Sequence, residues 1–298
     1  MKLVQLGDSG PQASRVGLGC NNFAGRIDFA RTREVVDAAL EVGVNFFDTA
    51  DVYGGSDSER FLGELLEGRR DRVVLATKFG HGVQRGGSRE HVHDAIAASL
   101  ERLRTDRVDL YYYHRPDGET PLTETLGAMH ELVEDGKVRY LGCSNFSAAQ
   151  LREAAAITRA HGAPVVALQN EYNLLRREAE QELLPLCREL GIGFVPYFPL
   201  ASGLLTGKYR PGEPHPPGSR LEGRVADDVF DRIRPLEEFA SARGRTLLEL
   251  AIAALASQPG VASVIAGATT AEQLRANAAA GEWELTADDL AELGRLSY

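Results

Sequence analysis

The chain predicts a (β/α)8 TIM barrel, preceded by an N-terminal β-hairpin and carrying two extra helices in its C-terminal half. Three observations predict it. Eight short apolar runs, rich in Val, Ile and aromatics, alternate with amphipathic stretches of helical period. Such alternation implies parallel strands joined by right-handed crossovers, and eight units suggest closure into a barrel. No GxGxxG follows an early strand, and Gly17 and Gly19 lack the third glycine and the helix that a doubly wound dinucleotide fold shows. No linker divides the 298 residues, so residues 1–298 are read as one barrel domain.

The elements follow in order. Leu3 to Leu6, a turn at Gly7-Asp8-Ser9-Gly10 and a second arm read as the hairpin. Val16 to Gly19 is a compact buried strand, and residues 30–42 form a helix with Val35, Ala39 and Leu40 on one face, stopped by Gly43. The strand Val44 to Phe47 ends at Asp48, and a short loop then carries Tyr53. A helix from Glu59 to Leu66 leads to the strand Val73 to Thr77, ending at Lys78. A helix from Ser88 to Leu103 leads to Val108 to Tyr113, ending at His114. The helix Leu122 to Glu134 leads to Val138 to Cys143, ending at Ser144 and Asn145. The helix Ala148 to Ala160 leads to Val165 to Leu168, ending at Gln169. The helix Arg177 to Leu190 leads to Gly193 to Pro196, ending at Tyr197. Helices at 228–242 and 246–257 precede the strand Ala262 to Ala266, which ends at Gly267. Helices from Ala271 and Thr286 close the chain. The irregular stretch 209–226, rich in Pro and Gly, follows the seventh strand and reads either as a floppy loop or as a segment that closes over a ligand.

Composition limits the function. A formal net charge of −10 argues against a nucleic-acid partner, which needs a basic footprint. No apolar run approaches the ~20 residues of a membrane helix, and the N-terminus shows no signal peptide. Cys20, Cys143 and Cys187 are widely spaced, which speaks against a disulfide framework and for a reducing, cytoplasmic home. His91 and His93 lie two apart on a helix and point apart, so no metal site is expected.

The polar residues share one feature. Asp48, Lys78, His114, Ser144, Asn145, Gln169 and Tyr197 all close predicted strands, and parallel barrel strands gather their C-terminal ends around one mouth. A phenol ionises near pH ~10, and a nearby ammonium lowers that value. Asp48, Lys78 and Tyr53 therefore read as a tuned proton donor with Tyr53 at its end. His114 orients the same oxygen. The set protonates an oxygen that gains charge and contains no nucleophile. That points to carbonyl reduction, with hydride from a nicotinamide cofactor.

The stretches GVNFFDTADVYG, ATKFG, YYYHRPD, GCSNF, QNEYN, YFPLASGLLTGKY and GATTAEQLRAN together resemble the aldo-keto reductase superfamily, in order from about residue 15 to 280. Within it the chain is similar to bacterial reductases akin to the β subunits of voltage-gated potassium channels. The resemblance implies Asp48, Tyr53, Lys78 and His114 as the catalytic tetrad. It implies Ser144, Asn145 and Gln169 at the nicotinamide carboxamide and Tyr197 stacked on the ring. Phe198, Leu200 and Ser202 match the loop that lines the pyrophosphate, and Gly267, Thr269, Gln273 and Asn277 match the adenosine end. Cys20 and Asn21 match positions near the ring. Glutamate is common in the family before the last asparagine, where this chain has Ala276.

The resemblance also bears on cofactor choice. Phosphate on the adenine ribose calls for Lys or Arg. The stretch Gly267 to Thr270 carries no charge, whereas Lys208 and Arg220 match the cationic positions of the channel-subunit branch. NADP(H) is the expected cofactor, with NAD(H) the alternative. The expected substrate is a small carbonyl compound or alcohol, in a pocket lined by Phe23, Phe79 and Arg115, the last either favouring a polar or acidic molecule or pairing with a surface carboxylate. The rival reading is a redox-sensing module that binds the nicotinamide and turns over slowly or not at all. Oligomeric state is not legible in the sequence.

Overall fold

The computed structural model describes residues 1–215, 219–221, 225–226 and 228–296. Strands β1 (Leu3–Gln5) and β2 (Gln12–Ser14) pair antiparallel as the expected hairpin, with Leu3 opposite Ser14. Eight strands then form one parallel sheet: β3 (Val16–Gly19), β4 (Phe46–Asp48), β5 (Val74–Phe79), β6 (Val108–Tyr113), β7 (Val138–Ser144), β8 (Val165–Glu171), β9 (Gly193–Tyr197) and β10 (Val264–Gly267). Neighbours in sequence are neighbours in the sheet, and β10 returns to pair with β3. The remaining seam, β9 against β10, is joined just before β10: Phe194 N–H donates to Gly260 O at 2.9 Å and Ala262 N–H to Phe194 O at 2.9 Å. The sheet thus becomes the expected (β/α)8 barrel.

The outer helices are α1 (Phe29–Glu41), α2 (Asp57–Leu65), α3 (Arg89–Leu103), α4 (Leu122–Glu134), α5 (Ala148–Ala160), α6 (Leu183–Leu190), α7 (Val229–Ser241), α8 (Leu247–Ala256), α9 (Ala271–Ala280) and α10 (Ala287–Leu296). Their starts are written locally. Asp28, Ser88 and Thr270 cap α1, α3 and α9, and Ser147–Gln150 and Thr246–Glu249 form capping boxes on α5 and α8. Helix α6 starts later than the expected Arg177. Arg177 instead binds Glu180 at 2.7 Å across a short 3-10 turn, Glu178–Glu180. The helices α7 and α10 are the two additions to the barrel plan, and Arg243, just past α7, joins them to the end of the chain through Asp289 and Glu292, each at 2.9 Å. No helix among the described residues is long and apolar enough to cross a membrane.

One apolar layer lies between barrel and helices, and a second fills the barrel. The inner one contains Phe46, Val74, Ala76, Leu110, Tyr112, Val166, Val195 and Ile265. Gly142 on β7 makes room for it: a Cβ there would meet the Tyr112 ring at 2.5 Å. The hairpin turn plugs the lower end. Leu6 is wholly buried in the inner layer, and Asp8 N–H donates to Gly191 O at 2.9 Å. With the bottom sealed by the hairpin, the open end of the barrel is the end where the strands stop.

Candidate active site

The strand β4 delivers Asp48 and the strand β5 delivers Lys78 to the upper end of the inner layer. Lys78 is fully buried, and its Nζ donates to Asp48 Oδ2 at 2.6 Å and to Thr49 O at 2.8 Å. The other Asp48 oxygen accepts from Gln169 Nε2 at 2.8 Å. Burial pulls the Lys78 ammonium down, but the attraction of Asp48 and of Tyr53 outweighs it, and the net shift is upward. Lys78 is therefore a charged lysine held in the protein interior.

Tyr53 follows β4 on a short 3-10 turn, Tyr53–Ser56. Its hydroxyl is 3.4 Å from Lys78 Nζ, which also lies 5.0 Å from the centre of the phenol ring. The expected lowering of the phenol pKa does not prevail. Burial raises it, Lys78 opposes the rise, and the net direction is up. Tyr53 is a protonated phenol polarised by an ammonium. His114 directly follows β6, with its ring edge-on to Tyr53 at 6.1 Å between centres. Burial first, then Lys78, His81 and Arg115, push its pKa down to about 2, so it is a neutral imidazole. Its Nδ1 is buried and has no hydrogen-bond partner among the described residues.

Asp48, Tyr53, His114 and Gln169 line one cavity of about 710 Å³ at the C-terminal ends of the strands, and Lys78 is buried behind them. Of the residues singled out in the sequence, Asn21, Asp48, Tyr53, His114, Arg115, Ser144, Asn145, Gln169, Tyr197, Phe198, Leu200, Ser202, Lys208, Arg220, Gly267, Thr269, Gln273 and Asn277 all line it. Several hold one another. Tyr197 donates its hydroxyl to Asn145 Oδ1 at 2.8 Å, and Asn145 Nδ2 donates to His114 O at 2.9 Å. Asn277 Nδ2 reaches Gly267 O at 3.3 Å, and the Thr269 N–H donates to Gln273 Oε1 at 2.9 Å. Gln169 uses its amide nitrogen on Asp48, which leaves its side-chain oxygen for anything in the cavity. Phe198, Ala201 and Ser202 take positive φ of 54°, 46° and 58°, so the wall after β9 is strained backbone.

Three expectations fail. Cys20, Phe23 and Phe79 are fully buried and do not line the cavity. Cys20 sits behind the wall with its thiol on Leu18 O, and burial, with Asp48 next, pushes its pKa well up, so it is no reactive thiolate. Phe79 stacks on Tyr111 and Tyr113 at 4.8 and 5.2 Å on the helix side of the sheet. The cavity also takes in residues the sequence did not single out for it: Asn22, Arg26, Val52, His81, Gly203, Thr206 and Leu248. His81 was recognisable as a polar residue two places past a strand end. Arg26 and Thr206 carry no local signal.

The loop after β9 does cross the cavity in its described part. Arg220 donates to Asn22 Oδ1 at 2.9 Å and lies 5.7 Å from the Phe198 ring centre. Residues 216–218, 222–224 and 227 of that loop region lie outside the described residues.

Comparison with known proteins agrees with this architecture. The family model described as "Aldo/keto reductase family" matches residues 15–297. A rice (Oryza sativa subsp. japonica) protein named "Probable voltage-gated potassium channel subunit beta" is 38% identical, covering 93% of this chain and 90% of its own length. An Arabidopsis thaliana protein of the same name is also 38% identical over the same shares. A Glycine max protein named "Probable aldo-keto reductase 1" is 36% identical, covering 97% of this chain and 87% of its own. With a family match over residues 15–297 and three relatives aligned over more than nine tenths of this chain, the chain belongs to the aldo/keto reductase family.

Proposed function

We propose that the protein is an NADP(H)-dependent reductase of aldehydes and ketones, working reversibly on the corresponding alcohols, with Tyr53 as general acid. The observation that carries this is the enclosed chain Asp48–Lys78–Tyr53, at 2.6 and 3.4 Å, opening into a cavity that also holds a neutral His114. Family membership supports an oxidoreductase, and the relative named an aldo-keto reductase supports the same chemistry.

The lining fits a nicotinamide dinucleotide. Ser144, Asn145 and the free oxygen of Gln169 offer amide and hydroxyl partners near Tyr53, and Tyr197 offers an aromatic face. Phe198, Leu200 and Ser202 form a wall suited to a pyrophosphate, with strained backbone at Phe198 and Ser202. Gly267, Thr269, Gln273 and Asn277 fit the adenosine end, and Lys208 and Arg220 fit a ribose phosphate, which favours NADP(H) over NAD(H). Such a cofactor supplies the hydride. The protein's own residues do the rest: His114 orients the carbonyl oxygen, Tyr53 protonates it as charge develops, and Lys78, fixed by Asp48, offsets the charge left on the phenol oxygen. The barrel excludes water from below, so these electrostatic effects act at low dielectric. A cytoplasmic location fits three buried free cysteines.

The second reading, a nicotinamide-binding redox-sensing module with slow or no turnover, is favoured by the names of the rice and Arabidopsis relatives. Titration with NADPH and NADH, followed by a carbonyl panel under the tighter binder, separates the two. The reductase reading expects tighter NADPH binding and multiple turnovers. Tyr53→Phe is expected to lower kcat by at least about 10³-fold, the scale of losing the acid together with its polarised oxygen, with NADPH affinity retained. Full activity in Tyr53→Phe would sink the mechanism.

A further inference from the structure

The charges around the cavity are lopsided. The chain has a formal net charge of −10, yet Arg26, Arg115, Lys208 and Arg220 line this cleft. The only carboxylate among the described lining residues is Asp48, which Lys78 neutralises. A low-dielectric cleft lined by one sign of charge concentrates the opposite sign. Lys208 and Arg220 stand on the loop after β9, where the cofactor reading uses them. Arg115 stands elsewhere. It directly follows His114, on the side of the cavity that holds the phenol.

Arg115 is exposed at the mouth and makes no ion pair among the described residues. Its field is felt by both His114 and Tyr197. Glu171, the acid that also acts on Tyr197, is ion-paired to Arg176. The backbone beneath Arg115 is fixed, because the His114 N–H donates to Phe79 O and His114 O accepts from Asn145, both at 2.9 Å. His81, with its ring 4.8 Å from that of His114, stands on the same rim and adds a further N–H donor. A single planar guanidinium matches the two-oxygen fork of a carboxylate. A phosphate dianion calls for the several cations grouped at the other end.

We propose that Arg115 is a specificity-determining residue that binds a carboxylate on the substrate, so that the preferred substrates are aldehydes or ketones carrying a carboxylate a few bonds from the reacting carbon. This deepens the carbonyl-reduction reading and rests on it. The test compares 4-carboxybenzaldehyde with benzaldehyde under saturating NADPH, in the wild type, Arg115→Leu and Arg115→Lys. The wild type is expected to prefer the acid. That preference, as a ratio of kcat/KM values, is expected to fall about 10- to 100-fold in Arg115→Leu, the scale of one charge-assisted pair, through KM rather than kcat. Arg115→Lys keeps the charge without the fork and is expected to lie between. A ratio unmoved in Arg115→Leu overturns the proposal. Calorimetric titration with benzoate asks the same question without turnover. Binding at least about tenfold weaker in Arg115→Leu supports the subsite, and equal binding overturns it. A protein that reduces neither aldehyde yet binds benzoate through Arg115 keeps the subsite and loses the reductase reading.

Discussion

Lys78 stays charged in a place where an isolated ammonium would not, because every direction it faces offers oxygen: Asp48, the Thr49 carbonyl and Tyr53. Asp51, three residues past Asp48, is the opposite. One of its carboxylate oxygens is buried with no partner among the described residues. Burial, with the nearby Glu59 next, raises its pKa to about 6, and Arg102 offsets this only in part. Arg102 is engaged with Glu59 at 2.6 Å, and Glu59 also accepts from Thr77. The folded state therefore holds the Asp51 proton to higher pH than the unfolded chain does. Below pH ~4 both states are protonated. As pH rises from ~4 to ~6 the unfolded chain releases its proton first, and stability falls across that window and then levels. The linked loss is about 2 to 3 kcal/mol. Denaturant midpoints measured for wild type and Asp51→Asn at pH 4.5 and 7.5 check it. The variant is expected to be the more stable at pH 7.5 and to lack this slope. His114, whose depressed pKa makes stability fall as pH drops below ~6.5, contributes equally to both proteins and cancels in the comparison.

The Tyr53 turn shows how one short element aims a side chain. Gly54 and Gly55 both take left-handed φ, 58° and 66°. A Cβ on Gly54 would meet Phe23 O at 2.6 Å, whereas one on Gly55 would meet nothing within 4 Å. Gly54→Ala is expected to cost about 2 kcal/mol or more and to lower kcat by displacing Tyr53. Gly55→Ala carries only the conformational strain, about 1 kcal/mol, with kcat held. Melting curves and kcat for the pair separate backbone strain from displacement. Equal effects of the two would mean that the close approach to Phe23 does not aim the turn. Much of this architecture was legible in the sequence, since strand β6 and helices α4 and α5 fall on their expected residues. Period and capping chemistry are local, and local signals survive folding. Strand ends placed Asp48, Lys78 and His114 for the same reason. The error at Phe79 was avoidable: successive strand residues face opposite ways, so a neighbour of the inward Lys78 belongs to the helix side. Arg26 and Thr206 were not legible as cavity residues, because loops bring them to the rim only once the barrel has closed.

The two ends of the barrel divide stability from chemistry. The strand C-termini carry Asp48, Lys78, His114 and the cavity, while the hairpin seals the other end with Leu6. Leu6 belongs to the same inner layer as Tyr112 and Val195. It is fully buried, so truncation removes apolar burial and leaves a void whose cost depends on how far the neighbours relax. Leu6→Ala is expected to destabilise the protein by about 2 to 4 kcal/mol. The void lies at the sealed end, and the hydrogen bonds that fix the upper rim, Lys78 to Asp48 and Gln169 to Asp48, arise from strand ends that Leu6 does not touch. Well below its melting temperature, Leu6→Ala should therefore keep the wild-type kcat/KM on its best carbonyl substrate while its urea midpoint drops. Tyr53→Phe removes one hydroxyl from a weak 3.4 Å contact and should show the reverse, stability within about 1 kcal/mol of wild type and the loss of at least about 10³-fold in kcat. Urea titration and steady-state kinetics on both variants decide the matter. A Leu6→Ala enzyme that loses activity in step with stability would mean that the inner layer transmits strain from the plug to the mouth, and that the close packing of Tyr112 against Gly142 couples the two ends.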